Sequence, residues 1–113
     1  MTGRSSHQKG DRGEREVLQL VRQAGWHNAT RNFASGADGN GDIAHGPALT
    51  IIEVKAVERF ELRRSWKQTV TAAVDAGPGY LPVLAHRWNR GPWLGITELD
   101  ELLALLQLRE HGT

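Results

Sequence analysis

The stretch from Gly41 to Lys55 limits what this chain can fold into more than any other. It reads Gly41-Asp42-Ile43-Ala44-His45, a Gly46-Pro47 turn, and then Leu49-Thr50-Ile51-Ile52-Glu53-Val54-Lys55. Two short apolar runs separated by Gly-Pro have the pattern of a β-hairpin. Strand side chains alternate, so Leu49, Ile51, Glu53 and Lys55 point to one face and Thr50, Ile52 and Val54 to the other. Both faces begin apolar, as a central strand covered on both sides requires. One face nevertheless ends in a carboxylate and an ammonium two residues apart. Charges at the end of a buried strand are costly unless they pair or bind something. Asp42, opening the preceding strand, is the natural third member of that cluster.

A chain of 113 residues is expected to form one domain, residues 1–113, with a modest core. It contains no cysteine, which excludes disulfides and thiolate metal sites. No apolar run approaches the roughly 20 residues of a membrane span, and no signal-peptide core is visible at the start. A cytoplasmic protein with no membrane partner is the expectation. The net charge of +1 hides an asymmetry: residues 1–96 hold 13 Lys/Arg against 9 Asp/Glu, and residues 97–113 hold 1 against 4. With Glu14, Asp42 and Glu53 occupied by a cation, the body carries 13 against 6 (9 less those 3). Such a surface is compatible with a nucleic-acid backbone without being diagnostic of one.

Taken in order, residues 1–8 are polar and expected to be flexible, with Arg4 and Lys9 as candidate phosphate contacts. A helix is expected from about Lys9 to Ala24, with Val17, Leu18, Val21 and Ala24 as its apolar stripe and Gly25 as its stop. Glu14 lies on that stripe, either as a site residue or as a partner of the helix dipole. Arg15 and Glu16 fall off it and read as surface residues. Thr30, Asn32 and Phe33 suggest a short strand, and residues 35–41 a glycine-rich turn in which Asp38 competes with Asp42 as the metal carboxylate. Asp42 is preferred because an apolar strand can hold it rigidly. A second helix is expected up to Ala76, burying Leu62, Trp66, Val70 and Ala73 and ending at Gly77-Pro78-Gly79. Arg63 and Lys67 share one flank and Arg64 and Gln68 the next. Two strands follow, Tyr80 to Trp88 and Pro92 to Ile96. Thr97 with Asp100 resembles a capping box for a C-terminal helix, residues 97–109. That helix would bury Leu99, Leu102, Leu103 and Leu106, while Leu105 and Leu108 suggest deep burial or a subunit contact.

Phosphodiester hydrolysis requires a cation that polarises the phosphate and prepares a hydroxide. A hard cation such as Mg²⁺ takes oxygen ligands and keeps several waters. Asp42 and Glu53 supply carboxylates, the Val54 carbonyl can add a third oxygen, and Glu14 can join directly or through water. Lys55 can orient the attacking water or balance charge on the phosphate. Glu-x-Lys alone is a weak signal. Preceded by Gly-Asp, a hairpin and an apolar run, it becomes moderately specific.

The chain resembles the PD-(D/E)xK nuclease superfamily and, within it, the archaeal-type and phage Holliday-junction resolvases. The likeness lies in Lys9-Gly10-x-x-x-Glu14-Arg15, Arg31 with Ala34-Ser35-Gly36, Asp42-Ile43 and Glu53-Val54-Lys55. It covers roughly residues 9–97. It implies a restriction-endonuclease-like αβββαβ core with a mixed central sheet flanked by helices, plus the C-terminal helix. Glu14, Asp42, Glu53 and Lys55 would be the active-site residues, with Mg²⁺ as cofactor and Mn²⁺ able to substitute. The DNA contacts expected on the N-terminal half are Lys9, Arg12, Arg31 and Ser35. On the second helix they are Arg63, Arg64, Lys67 and Gln68. The implied activity is resolution of branched, four-way DNA by a homodimer, since a symmetric junction needs two matched cuts. Gly41 stands where the superfamily name places a proline. The competing readings are a restriction-type, nicking or repair endonuclease acting on linear or flapped DNA, a non-catalytic DNA-binding module, and a small α/β domain whose strand end makes a structural ion pair.

Overall fold

The computed structural model describes residues 2–32, 41–56 and 61–112, with side chains from Gly10 onward. Its order is α1 (Thr2–Gln23), β1 (Thr30–Arg31), β2 (Ile43–Ala44), β3 (Thr50–Lys55), α2 (Leu62–Ala76), β4 (Leu81–His86), β5 (Leu94–Ile96) and α3 (Leu99–Glu110). This is the expected restriction-endonuclease-like α/β architecture, and β4 and β5 fall within the two strands expected before the last helix. β4 is central: β3 pairs with it in parallel, from Thr50 opposite Leu81 to Lys55 opposite His86, and β5 pairs antiparallel on its other side. β1 and β2 form a separate antiparallel pair.

The expected hairpin between β2 and β3 is present only in part. Its two arms share no ladder, and the backbone link between them is the Asp42 N–H to the Ile52 carbonyl, 2.9 Å. The connecting turn explains the break, because His45 and Leu49 both have positive φ, 59° and 52°. L-residues adopt that region at a cost, and it turns the chain out of the extended path. Leu49, expected on the buried strand face, is consequently exposed.

Two further departures concern the helices. α1 begins at Thr2, so the helix extends through the segment expected to be flexible. α2 buries Ala73 as expected, but it also buries Ser65 and Thr69, leaves Trp66 and Val70 only partly buried and leaves Leu62 exposed. That face is rotated from the expected one because small side chains let the helix lie close on the sheet. The buried Thr69 hydroxyl is satisfied within the helix, donating to the Ser65 carbonyl at 2.8 Å. The stops at Gly25 and Gly77 are as expected. Gly77 adopts φ 135° and caps α2 by donating its N–H to the Ala73 and Val74 carbonyls.

The core gathers Val17 and Leu18 of α1, Ala29 just before β1, Ile43 of β2, Ile52 and Val54 of β3, and Ala85 of β4. The other face of the sheet buries Ile51 and Leu84. At Gly13 α1 comes so near β3 that a Cβ there would stand 2.7 Å from the Ala56 Cβ. Hydrogen bonds outside the strands fix the β4–β5 hairpin. The Trp93 indole N–H donates to Glu16 at 3.1 Å, and Arg87 pairs with the same carboxylate oxygen at 2.8 Å. Glu16 is therefore an anchor between α1 and the sheet, not an ordinary surface residue.

The capping box at Thr97 does not form. Its hydroxyl donates instead to the Pro82 carbonyl at 2.8 Å, tying the end of β5 back to β4. The N-cap of α3 is Glu98, with no side-chain cap bond. No residue of α3 is buried, and Leu99, Leu102, Leu103 and Leu106 are exposed rather than in the core.

Gly41 has φ 71°, and a Cβ on it would stand 2.9 Å from the Ile51 side chain and 3.0 Å from the Ile52 carbonyl. Proline, fixed near φ −65°, cannot occupy this backbone. A Gly41→Ala substitution should lower unfolding free energy by about 1–3 kcal/mol, the cost of a strained left-handed residue. Urea denaturation followed by circular dichroism measures it.

Candidate active site

The geometry of the site begins at Asp42, which is held from both sides by main chain. Its N–H donates to the Ile52 carbonyl of β3, and its carbonyl accepts the Asn32 N–H at 2.9 Å. Its carboxylate Oδ2 accepts the Val54 N–H at 2.8 Å. Asn32 braces the turn as well, its side-chain amide donating to the Gly41 carbonyl at 3.0 Å. Asp42 thus stands across the first half of Glu53-Val54-Lys55, with its carboxylate aimed at that segment.

Glu53 is half-buried, and its carboxyl is pushed up to about 7. Burial is the main cause, followed by the charge and hydrogen bonding of Asp42; the Lys55 ammonium opposes the shift. Glu14 reaches the cluster from α1. Its carboxyl is also raised, first by burial and then by Asp42, and these outweigh the Arg31 guanidinium beside it. A group of acids that raise one another's affinity for a proton is one in which a cation would be stabilised. Lys55 is partly buried at the end of β3, and its carbonyl accepts the Nδ1–H of buried His86 at 2.9 Å. Because a carbonyl can only accept, this bond places a proton on Nδ1.

Arg31 is not on an open flank. Its guanidinium pairs with Asp11 at 2.6 Å and with Glu14 at 3.2 Å. Asp11 also pairs with Arg15, and these hydrogen bonds hold its carboxyl below the usual range. Asp42, Lys55 and Glu14 are thus near enough to Glu53 to act on its carboxyl, and Asp11 and Arg31 brace Glu14. Arg12 is exposed on α1. Arg63, Arg64, Lys67 and Gln68 line one open groove of about 840 Å³ on α2 with Glu61, Leu62 and Thr71. None of the four carboxylate-and-lysine residues lines that groove. Arg64 pairs with Glu61 at 3.3 Å across exposed side chains, a contact worth little in water. Ser35, Asp38 and the Lys9 side chain lie outside the described residues.

Sequence reading missed Asn32, Asp11 and His86. Asp11 had a local signal, standing three and four residues before Glu14 and Arg15 on one helix. The contact of Asn32 with Gly41 and that of His86 with Lys55 are set by tertiary pairing, which spacing along the chain does not reveal.

Asp42 and Glu53 are hard oxygen donors crowded enough to raise a carboxyl, and they fit a divalent cation. Among the described residues no group of three His, Asp or Glu side chains is close enough to hold an ion alone. A cation here would therefore draw on the two carboxylates, a main-chain carbonyl and water, the ligand habit of Mg²⁺.

Taken together, the α/β topology and the facing Asp42 and Glu53-Val54-Lys55 define a nuclease of the PD-(D/E)xK class. Residues 5–111 match the family described as "Phage putative PDDEXK endonuclease", and the chain belongs to that family. No curated protein and no solved structure matches it. No helix among the described residues is long and apolar enough to cross a membrane.

The raised Glu53 carboxyl carries a sign. Its folded-state pKa lies above the unfolded value, so the fold binds more protons between about pH 4.5 and 7 and loses stability as pH rises through that window. With chelator at pH 8, Glu53→Gln should therefore melt at a higher temperature than the parent, with the gain shrinking toward pH 5. Differential scanning calorimetry at the two pH values checks it. A lower melting temperature at pH 8 would mean that the carboxylate is stabilised by its surroundings.

Proposed function

We propose that the chain is a Mg²⁺-dependent, structure-specific DNA endonuclease that resolves four-way junctions as a homodimer, with Mn²⁺ able to substitute. The observation that carries the nuclease chemistry is the main-chain clamp on Asp42, which fixes its carboxylate opposite Glu53-Val54-Lys55. Asp42 and Glu53, with the Val54 carbonyl, are the residues that would hold the cation. Bound there, the cation would supply charge stabilisation to the phosphate and acidify a water. Lys55 sits at the same strand end and orients the attacking water or balances charge on the phosphate. Glu14, held by Arg31, contributes a third carboxylate directly or through water. A fixed set of this kind lowers the barrier by positioning, since little rearrangement is needed at the moment of reaction.

Four-way substrate preference rests on a different footing. Arg12 on α1 and Arg63, Arg64 and Lys67 on α2 are exposed cations suited to backbone phosphates, with Gln68 beside the α2 set. Lys9 and Ser35 belong to the same expected contact set. Arg31 takes part through Glu14 and Asp11, with DNA contact secondary. Phosphate contacts position a protein without reading bases, so recognition by shape follows from such a surface.

Asp42→Asn should abolish cleavage and keep the fold, because the amide oxygen can still accept the Val54 N–H. An active Asp42→Asn beside a dead Asp38→Asn would transfer the metal role to Asp38. Glu14→Gln should slow cleavage by about 10²-fold or more if its carboxylate takes part in positioning or proton transfer. A helix-dipole partner would lose less than about 1 kcal/mol of stability and no rate, so single-turnover rate and melting temperature together separate the two roles.

Replacing Arg63 and Arg64 by Ala should weaken binding to junctions of every sequence alike. It should also flatten the log–log salt dependence by about one unit per lost phosphate contact. Labelled four-way, flapped and linear DNA, each incubated with Mg²⁺ or chelator, supply the comparison. Cleavage of a short duplex sequence with no response to branching would establish the restriction-type or repair reading in place of junction resolution.

A further inference from the structure

Lys55 is the last residue of β3, and the end of a strand is where a backbone is least restrained. Ladder pairing with β4 runs up to Lys55 opposite His86 and stops there. A lysine carries its ammonium on a flexible four-carbon stem, so freedom in its backbone is magnified at the charge. Packing supplies part of the missing restraint: a Cβ at Gly13 of α1 would stand 2.7 Å from the Ala56 Cβ. An apolar contact of that kind limits displacement, but it has little directional preference and leaves rotation of the Lys55–Ala56 peptide open.

His86 supplies the direction. Its residue surface is only 5% exposed, and a polar ring buried to that degree is costly unless its nitrogens are used. Its Nδ1–H donates to the Lys55 carbonyl at 2.9 Å, the length of a well-formed hydrogen bond. The ring stands on a rigid base. Its backbone is paired on both edges, with Lys55 of β3 and with Leu94 of β5. The Trp88 ring lies tilted beside it, 6.5 Å between centroids. We propose that His86 is a positioning residue for the cleavage reaction: its bond fixes the rotation of the Lys55–Ala56 peptide, and with it the direction in which Lys55 is presented. His86 acts through Lys55 and not on the substrate.

This inference deepens the function proposed above and rests on the role given there to Lys55. Two substitutions separate the hydrogen bond from the bulk of the ring. In His86→Asn a side-chain amide N–H stands where Nδ1 stood, the same number of bonds from Cβ, whereas His86→Leu has no donor. Single-turnover rates are measured with Mg²⁺ and saturating DNA of the form that the parent cleaves. His86→Leu should be slower by about 10²-fold, the loss that a misplacement of about 1 Å brings, and His86→Asn should recover most of that loss. Affinity for the same DNA in chelator should stay within about twofold for both, because the phosphate contacts are untouched. A ring that served packing alone would show no rescue by Asn, which fills the space less well than Leu. Nitrogen-15 spectra of histidine-labelled parent at pH 8 test the bond without substitution, DNA or metal, and should place the His86 proton on Nδ1.

A folded His86→Leu chain that cuts as fast as the parent would overturn the proposal. So would a folded His86→Asn chain as slow as His86→Leu, or a His86 proton found on Nε2 alone. Lys55→Met tells the two levels apart. If it is inactive while His86→Leu is unimpaired, the positioning role of His86 falls alone; if it is active, the role of Lys55 falls and takes this inference with it.

Discussion

One carboxylate oxygen holds the molecule's two sheets in register. Asp42 Oδ2 accepts the Val54 N–H, while the main chain of Asp42 bonds to Ile52 on one side and Asn32 on the other. β1 and β2 form one small sheet, and β3, β4 and β5 the other. Without the Asp42 connections the two would meet mainly through side-chain packing. An acid that donates backbone and accepts with its side chain joins them at a defined offset. That offset is what brings Asp42 opposite Glu53, so the structural seam and the chemical site are the same place. Gly41 makes the junction possible, because its left-handed backbone lets the chain pass within contact distance of β3.

Around that seam the fold concentrates negative charge and then restrains it. Asp42 raises the carboxyls of Glu53 and Glu14, while Arg31 and Lys55 act in the opposite sense. The cations do not cancel the effect, since burial is the largest contribution to both shifts. Such a site disfavours charged acids, and a divalent ion held there would neutralise two of them at once. Arg31 pairs with Glu14 and offsets part of its repulsion by Asp42. With Asp11 on its other side, it fixes the distance at which α1 delivers its acid, and Gly13 sets how closely α1 can approach β3.

How much of this was legible in the sequence depended on the range of the interaction. Asp42, Glu53 and Lys55 were visible because a strand's alternation and an apolar run leave a pair of charges nothing local to explain them. Helical spacing placed Glu14 on the apolar stripe but left a site role and a helix-dipole role both open. The element order followed from periodicity and from Gly25 and Gly77. What failed was set by contact between distant segments. Leu62 looked like core by spacing, yet Ser65, Thr69 and Ala73 were small enough to let α2 lie closer on the sheet. Glu16 looked like surface until Trp93 and Arg87 were brought to it by the β4–β5 hairpin. Thr97 had a suitable cap sequence, but the Pro82 carbonyl competed for its hydroxyl.

The position of Glu16 shows a second way in which the last two strands matter to the site, besides the bond from His86 to the Lys55 carbonyl. Its carboxylate receives the Trp93 indole N–H and the Arg87 guanidinium, and Arg87 also lies over the Trp93 ring at 5.3 Å. Glu16 stands two residues after Glu14 on α1, so the face of the helix that carries Glu16 is pinned to the β4–β5 hairpin. Arg31 pulls on Glu14 and Asp11 from the β1 side. A helix held on two sides by charged contacts cannot rotate about its axis without breaking one set. Apolar packing of Val17 and Leu18 alone would tolerate such rotation, because dispersion contacts have little directional preference. The polar contacts therefore convert a packed helix into an oriented one, and orientation is what a carboxylate at Glu14 needs in order to serve the seam at Asp42.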